Sequence, residues 1–361
     1  MKKQFTLLSC LGLLACTPNP LEKQSQPSPQ ASASASASAS ASASASASLP
    51  PISSEDLALI TEANLHFQAL TAKTTPNPDQ VALGKMLFYD PRLSINNKIS
   101  CKSCHNLESF GVDNRATSLG HVSQTGTRNA PTVLNAVYNK TQFWDGRAKD
   151  LQDQAGQPIL NPLEMAMPSE NAVIQKLSKI SGYRDSFQKA FPGQENALTY
   201  ANLSLALARF EETLITPGRF DQFLQGDGKA LNDAEKKGLK AFMNKGCVAC
   251  HNGPGLGGES FQKFGVIAPY PHQTDPGRYE VSKLEKDRYL FKVPLLRNIE
   301  HTQPYFHDGK IADLKEAVRI MAKTEFGDDY SEAQIEELVT FLKSLSGLVP
   351  AEAKAAPVLP P

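Results

Sequence analysis

Beyond residue 51, apolar residues recur mostly at helical spacing and not in strict alternation. Ser53-x-x-Asp56 offers an N-cap ahead of Leu57, Ile60, Asn64 and Phe67, which share one helix face. Residues 199–215 carry a second apolar stripe of the same period. Asn232-x-x-Glu235 resembles a capping box before Leu239, Phe242 and Met243. Ser331 precedes Ile335, Leu338, Val339, Leu342 and Leu345, an amphipathic helix, and Asp313 to Ala322 reads as another. No long alternating run predicts a substantial sheet. Pro- and Gly-rich stretches at 156–168, 216–228 and 252–277 read as loops. The expectation is a mainly α protein.

The start of the chain follows other rules. Met1-Lys2-Lys3 leads into an apolar run from Phe5 to Ala15, far shorter than the roughly 20 residues a membrane span needs. It reads as a secretory signal over residues 1–15. Leu13-Leu14-Ala15-Cys16 resembles a bacterial lipobox, which predicts a lipid anchor on Cys16. Thr17 follows, where Asp would hold a bacterial lipoprotein at the inner membrane, so anchoring to the outer membrane, facing the periplasm, is expected. Residues 16–50, with an Ala-Ser tract at 31–48, offer almost nothing to bury against their ordering entropy and read as a disordered linker. The Pro/Ala-rich residues 348–361 read as a disordered tail. The 361-residue chain has a formal charge of +0, which points to no nucleic-acid partner. About 300 residues remain for the body, enough for two domains, placed here at 51–220 and 221–347.

Once the signal and Cys16 are set aside, four cysteines remain, all in two motifs. These are Cys101-Lys102-Ser103-Cys104-His105 and Cys247-Val248-Ala249-Cys250-His251. In Cys-x-x-Cys-His the thiols add to the vinyl groups of a haem and the imidazole reaches its iron. A shared zinc site would place its Cys pairs about 15–20 residues apart, far closer than Cys101 and Cys247. A redox dithiol requires neither a second copy nor a His after each. The motifs therefore predict two covalent haem c groups, one in each of two cytochrome c-like helical domains.

Each iron then needs a sixth partner or an open position. His121 lies in the Gly-rich Leu119-Gly120-His121 segment, which could fold over the first haem. For the second haem the candidates are Met321, His301 and His307, although a helical Met is by default core. His66, on the first helix, reads as a packing residue.

Several further segments resemble the bacterial di-haem cytochrome c peroxidases, relatives of the methylamine-utilisation enzyme MauG. They are Gly126-Thr127-Arg128-Asn129-Ala130-Pro131-Thr132, Phe143-Trp144-Asp145-Gly146-Arg147 and Asn161-Pro162-Leu163-Glu164-Met165. Pro294-Leu295-Leu296-Arg297-Asn298 and Pro304-Tyr305-Phe306-His307-Asp308-Gly309 continue the match in the same order. The resemblance implies reduction of hydrogen peroxide with electrons from a small periplasmic donor, a cytochrome c or a cupredoxin. It implies a peroxidatic N-terminal haem with His105 proximal, His121 as a distal ligand that departs on activation, and Glu164 and Gln154 in the distal pocket. At the C-terminal haem it implies His251 and Met321 as axial ligands, with Trp144 between the haems. It also implies a calcium ion held by Asn129 and by backbone oxygens of Thr302 and Pro304, and a homodimer. His301 and His307 then read as structural. In MauG-type enzymes, which oxidise a protein side chain, a Tyr stands where this chain has Met321. A non-catalytic di-haem electron carrier is the alternative outside enzymes.

Overall fold

The computed structural model describes residues 52–361; the expected signal, Cys16 and the Ala-Ser linker lie outside the described residues. Helix α1 (Ser54–Ala63) starts where Ser53 Oγ accepts the Asp56 N–H at 3.0 Å. The first half continues with α2 (Pro78–Tyr89), α3 (Cys101–Cys104), α4 (Leu151–Ala155), α5 (Gln157–Leu160), α6 (Glu170–Ser178), α7 (Ser181–Ala190) and α8 (Tyr200–Glu211). Its core joins Leu83, Leu87 and Phe88 of α2 to Leu203, Leu207 and Phe210 of α8. The two helices touch backbone to backbone at Gly84, where a Cβ would run into the Ala206 carbonyl.

The second half holds α9 (Arg219–Leu224), α10 (Asp233–Asn244), β1 (Phe261–Lys263), α11 (Tyr279–Ser282), β2 (Leu290–Lys292), α12 (Leu314–Met321), α13 (Glu332–Lys343) and α14 (Ala351–Lys354). The Asn232 capping box forms as expected, with Glu235 N–H donating to Asn232 Oδ1 at 2.9 Å. Here α10 crosses α13, and Gly238 permits the approach because a Cβ there would meet the Glu337 carbonyl. Strands β1 and β2 pair antiparallel, with Phe261 opposite Lys292. The helical expectation holds, with two refinements. The stretch 216–228 contains α9, anchored by Phe220 and Phe223 three positions apart and fully buried. Single-turn α5 interrupts 156–168.

The division at residue 220 needs correction at both ends. Leu59, Ile60 and Ala63 of α1, with Phe67, belong to the C-terminal core beside Phe220, Leu239 and Phe341. Leu70 N–H donates to Asp221 Oδ1 at 2.7 Å, and Asp221 is paired in turn with the buried Arg297 at 2.9 Å. The expected disordered tail is instead folded onto the N-terminal half. Ala353 of α14 is 3 % exposed and lies in the N-terminal core, and Tyr89 Oη donates to its carbonyl at 2.8 Å. The composition of 348–361 conceals this because the anchors are a small side chain and backbone carbonyls, which carry no hydropathy signal.

Two segments flanking the junction repeat one another. Asn135 (φ 60°) and Asn298 (φ 62°) are both left-handed and each opens a short 3-10 turn. Phe143 (φ 65°) and Gly146 (φ 67°) correspond to Phe306 (φ 67°) and Gly309 (φ 61°). Trp144 thus corresponds to His307, Asp145 to Asp308, and Asn129 to Lys292. Reciprocal hydrogen bonds tie the copies: Asn129 N–H donates to the His307 carbonyl at 2.7 Å and Lys292 N–H to the Trp144 carbonyl at 2.8 Å. Thr216 Oγ1 accepts from Asn135 Nδ2 and Asn298 Nδ2, each at 2.8 Å. The two copies therefore pair with each other through reciprocal hydrogen bonds at the junction.

Candidate functional site

The C-terminal motif follows α10 directly. Cys247 and Cys250 flank a tight turn entered through Gly246 at φ 81°. His251 Nδ1 lies 3.1 Å from the Leu256 carbonyl, and burial pulls its pKa down to about 4, which keeps the ring neutral. A neutral imidazole with Nδ1 on a carbonyl presents Nε2 to a metal, the usual geometry of a ligating histidine. Cys247, Cys250, His251 and Met321 all line one cavity of about 240 Å³. Met321 ends α12, beyond which Ala322–Phe326 form a wider π turn. Phe242, Leu338 and Leu342 add apolar lining, and Glu325 lies near enough to act on Cys250.

The N-terminal motif repeats the arrangement. Cys101 and Cys104 bracket α3, and His105 Nδ1 faces the Gly111 carbonyl at 3.3 Å, its pKa lowered by burial. Burial raises the Cys101 thiol and pushes Cys104 up to about 11. The four motif cysteines form no disulfide with one another. Thioethers to a porphyrin suit these sites better than thiolates to zinc. The donor sets fit haem c in both halves.

His121 sits on a 3-10 turn whose next residues, Val122 (φ 49°) and Ser123 (φ 62°), occupy the left-handed region, unfavourable for a β-branched side chain. Its Nδ1 is buried without a partner. Its N–H donates to the Glu164 carbonyl at 2.7 Å, and Gly120 lies so close to the Leu163 carbonyl that no Cβ fits. The structure therefore brings His121 and Glu164 together. Glu164 Oε1 accepts from Asn161 Nδ2 at 2.8 Å. Burial raises its pKa, against the lowering influence of Arg147 and Asn161. Gln154, half-buried on α4, makes no hydrogen bond to Glu164.

Trp144 Nε1–H donates to the Asn129 carbonyl at 2.9 Å, and its ring meets His307 edge-on at 6.4 Å. Asn129, Thr302 and Pro304 line the C-terminal cavity together. Asn129 Nδ2 donates to the Arg115 carbonyl at 2.8 Å, and amide and backbone carbonyl oxygens are the donor type that calcium takes. His301 stacks on Phe110 at 3.9 Å and His307 on Phe291 at 4.1 Å. The sequence reading missed an ion-pair cluster here. Arg128 binds Asp145 at 2.5 Å and Asp275 at 2.6 Å, and Arg147 binds Asp145 at 3.0 Å. It also missed the buried Lys292.

A family profile described as di-haem cytochrome c peroxidase matches residues 78–229, and one described as cytochrome c matches residues 235–346. The cytochrome c551 peroxidase of Nitrosomonas europaea is 49 % identical over 304 residues, covering 84 % of this chain and 90 % of that one. That of Pseudomonas aeruginosa is 45 % identical over 311 residues, covering 83 % and 89 %. The methylamine utilization protein MauG of Methylorubrum extorquens is 36 % identical over 240 residues, 66 % of this chain and 67 % of its own. A crystal structure of a MauG-like protein associated with microbial copper homeostasis superposes with a TM-score of 0.71 at 25 % identity. It covers 80 % of this chain and 96 % of that one. The chain belongs to the di-haem cytochrome c peroxidase family.

Proposed function

We propose that this protein reduces hydrogen peroxide to two waters, taking two electrons from a small donor, a cytochrome c or a cupredoxin, and two protons from solvent. The observation that carries the reading is the hydrogen bond from His121 N–H to the Glu164 carbonyl. It ties the backbone of the proposed distal histidine to that of a buried carboxyl residue whose charge acts on Cys101 and Cys104, which supports a shared distal side for the two. When bound, the two haems supply the redox chemistry, the N-terminal one toward peroxide and the C-terminal one toward the donor. His105 and His251 hold them from the proximal side. Met321 closes the C-terminal site with sulfur, which raises its potential relative to a bis-His site and suits electron entry. His121 closes the N-terminal site at rest and opens it by moving; the left-handed residues after it store the strain such a switch uses. Glu164 takes a proton from one peroxide oxygen and returns it to the departing oxygen, a transfer its burial supports by bringing its pKa nearer neutrality. Gln154 assists from α4, and Trp144 lies on the electron path. Calcium at Asn129, Thr302 and Pro304 braces the junction, and an acylated Cys16 tethers the enzyme in the periplasm, most naturally at the outer membrane. No helix among the described residues is long and apolar enough to cross a membrane.

The test is peroxide turnover with a reduced donor, from both the oxidised and the half-reduced enzyme. Turnover from at least one is expected; none from either overturns the proposal.

A further inference from the structure

Lys292 is 6 % exposed, yet no acidic side chain among the described residues pairs with it. Its Nζ has one protein partner, Asn139 Oδ1 at 2.9 Å, and burial alone draws its pKa down to about 8. A buried ammonium without a counter-charge is costly, and proteins supply such groups with an anion or keep them neutral. The side chain lines the cavity that also holds Cys247, Cys250, His251 and Met321. The carboxylate of that cavity, Glu325, is engaged elsewhere: it accepts the Gly265 N–H at 2.7 Å and acts on Cys250. The cavity takes polar lining from both halves, Asn129, Asn139 and Trp144 from the first and Gln262, Lys263 and Lys292 from the second, beside apolar residues such as Phe242, Leu296 and Leu342. A haem is itself amphipathic, with a hydrocarbon edge and two propionates.

We infer that Lys292 is the counter-cation of a propionate on the C-terminal haem, a positioning residue that holds that edge against the junction and keeps the haem easy to reduce. The inference rests on the haem reading above and concerns the C-terminal haem, since the internal repeat aligns Lys292 with Asn129, a side chain with no charge of its own. Its sign follows from electrostatics. A reduced haem carries one positive charge fewer than an oxidised one, so a nearby cation favours reduction. Removing that cation moves the midpoint downward.

The test is potentiometric titration of the mature two-haem protein, followed by absorption, with Lys292→Met and Lys292→Arg. Lys292→Met is expected to lower the midpoint of the C-terminal haem, leaving the N-terminal midpoint and the absorption signature of Met321 ligation unchanged. Lys292→Arg restores most of the shift, which mere space-filling would not do. Should Lys292→Met fail to mature, Asn139→Asp sets a rival carboxylate on Nζ and is expected to move the same midpoint downward. An unmoved C-terminal midpoint in either variant, with both haems attached by mass, overturns the inference. Titration needs no peroxide, so failed turnover would sink the peroxidase reading and leave this result standing.

Discussion

The two halves share a frame and differ in what closes it. Each has a Cys-x-x-Cys-His motif, a proximal imidazole on a backbone carbonyl, a glycine-permitted helix crossing, and one copy of the repeat at the junction. In the C-terminal half the residue proposed to cap the haem, Met321, is the last residue of a helix N-capped by Asp313 and continued by the π turn Ala322–Phe326. In the N-terminal half the corresponding candidate, His121, sits on a short turn beside two left-handed residues. Regular helix resists displacement because moving one residue breaks several coupled hydrogen bonds; a strained turn has little to lose. On the proposed reading one site is fixed and the other yielding, and the two differ in the local backbone of a few residues.

That contrast can be attacked from several directions. The largest effect is expected from Glu164→Gln, which keeps the shape and removes the proton acceptor. Turnover should fall about 10²- to 10⁴-fold in a steady-state peroxide assay, with both haems still attached. The same residue sets a pH dependence. Because burial raises its pKa, the proton-accepting carboxylate exists only above that raised value, and kcat/KM should decline as pH falls through it. An acid limb that survives in Glu164→Gln would assign it to another group. Next, His121→Ala should leave the N-terminal haem five-coordinate without prior reduction, read as a high-spin spectrum in the oxidised enzyme. A low-spin spectrum unchanged from the parent would remove His121 from the site.

Smaller effects test the shared frame. Gly84→Ala and Gly238→Ala each force a methyl into a facing carbonyl and should destabilise by about 1–3 kcal/mol, the typical cost of overpacking. Denaturant titration that follows each haem separately should show each substitution loosening its own half first. The least effect is expected from Tyr89→Phe, which removes the donor to the Ala353 carbonyl and should cost about 1 kcal/mol. It should act on the N-terminal transition alone.

Helical content and the motif ligands were legible because they depend on periodicity and on residue types with few other uses. Family resemblance singled out Glu164 and His121 as candidates, and a backbone hydrogen bond from His121 N–H to the Glu164 carbonyl holds their two segments together. Lys292 stayed hidden because a lone lysine in sequence looks like surface; only burial on β2 distinguishes it. The tail was misread for the reason that hid the Arg128–Asp145–Asp275 cluster. Its partners are remote in the chain, and local composition does not report them.

The exchange of termini sets an order of events during synthesis. Helix α1 emerges first but has no home until Phe220, Leu239 and Phe341 have followed it. The first-made half, in turn, lacks its final wedge until Ala353 arrives. Each core is therefore complete only after residues remote in the chain have been made. A nick near residue 220 in the finished molecule would leave two pieces that travel together until denatured.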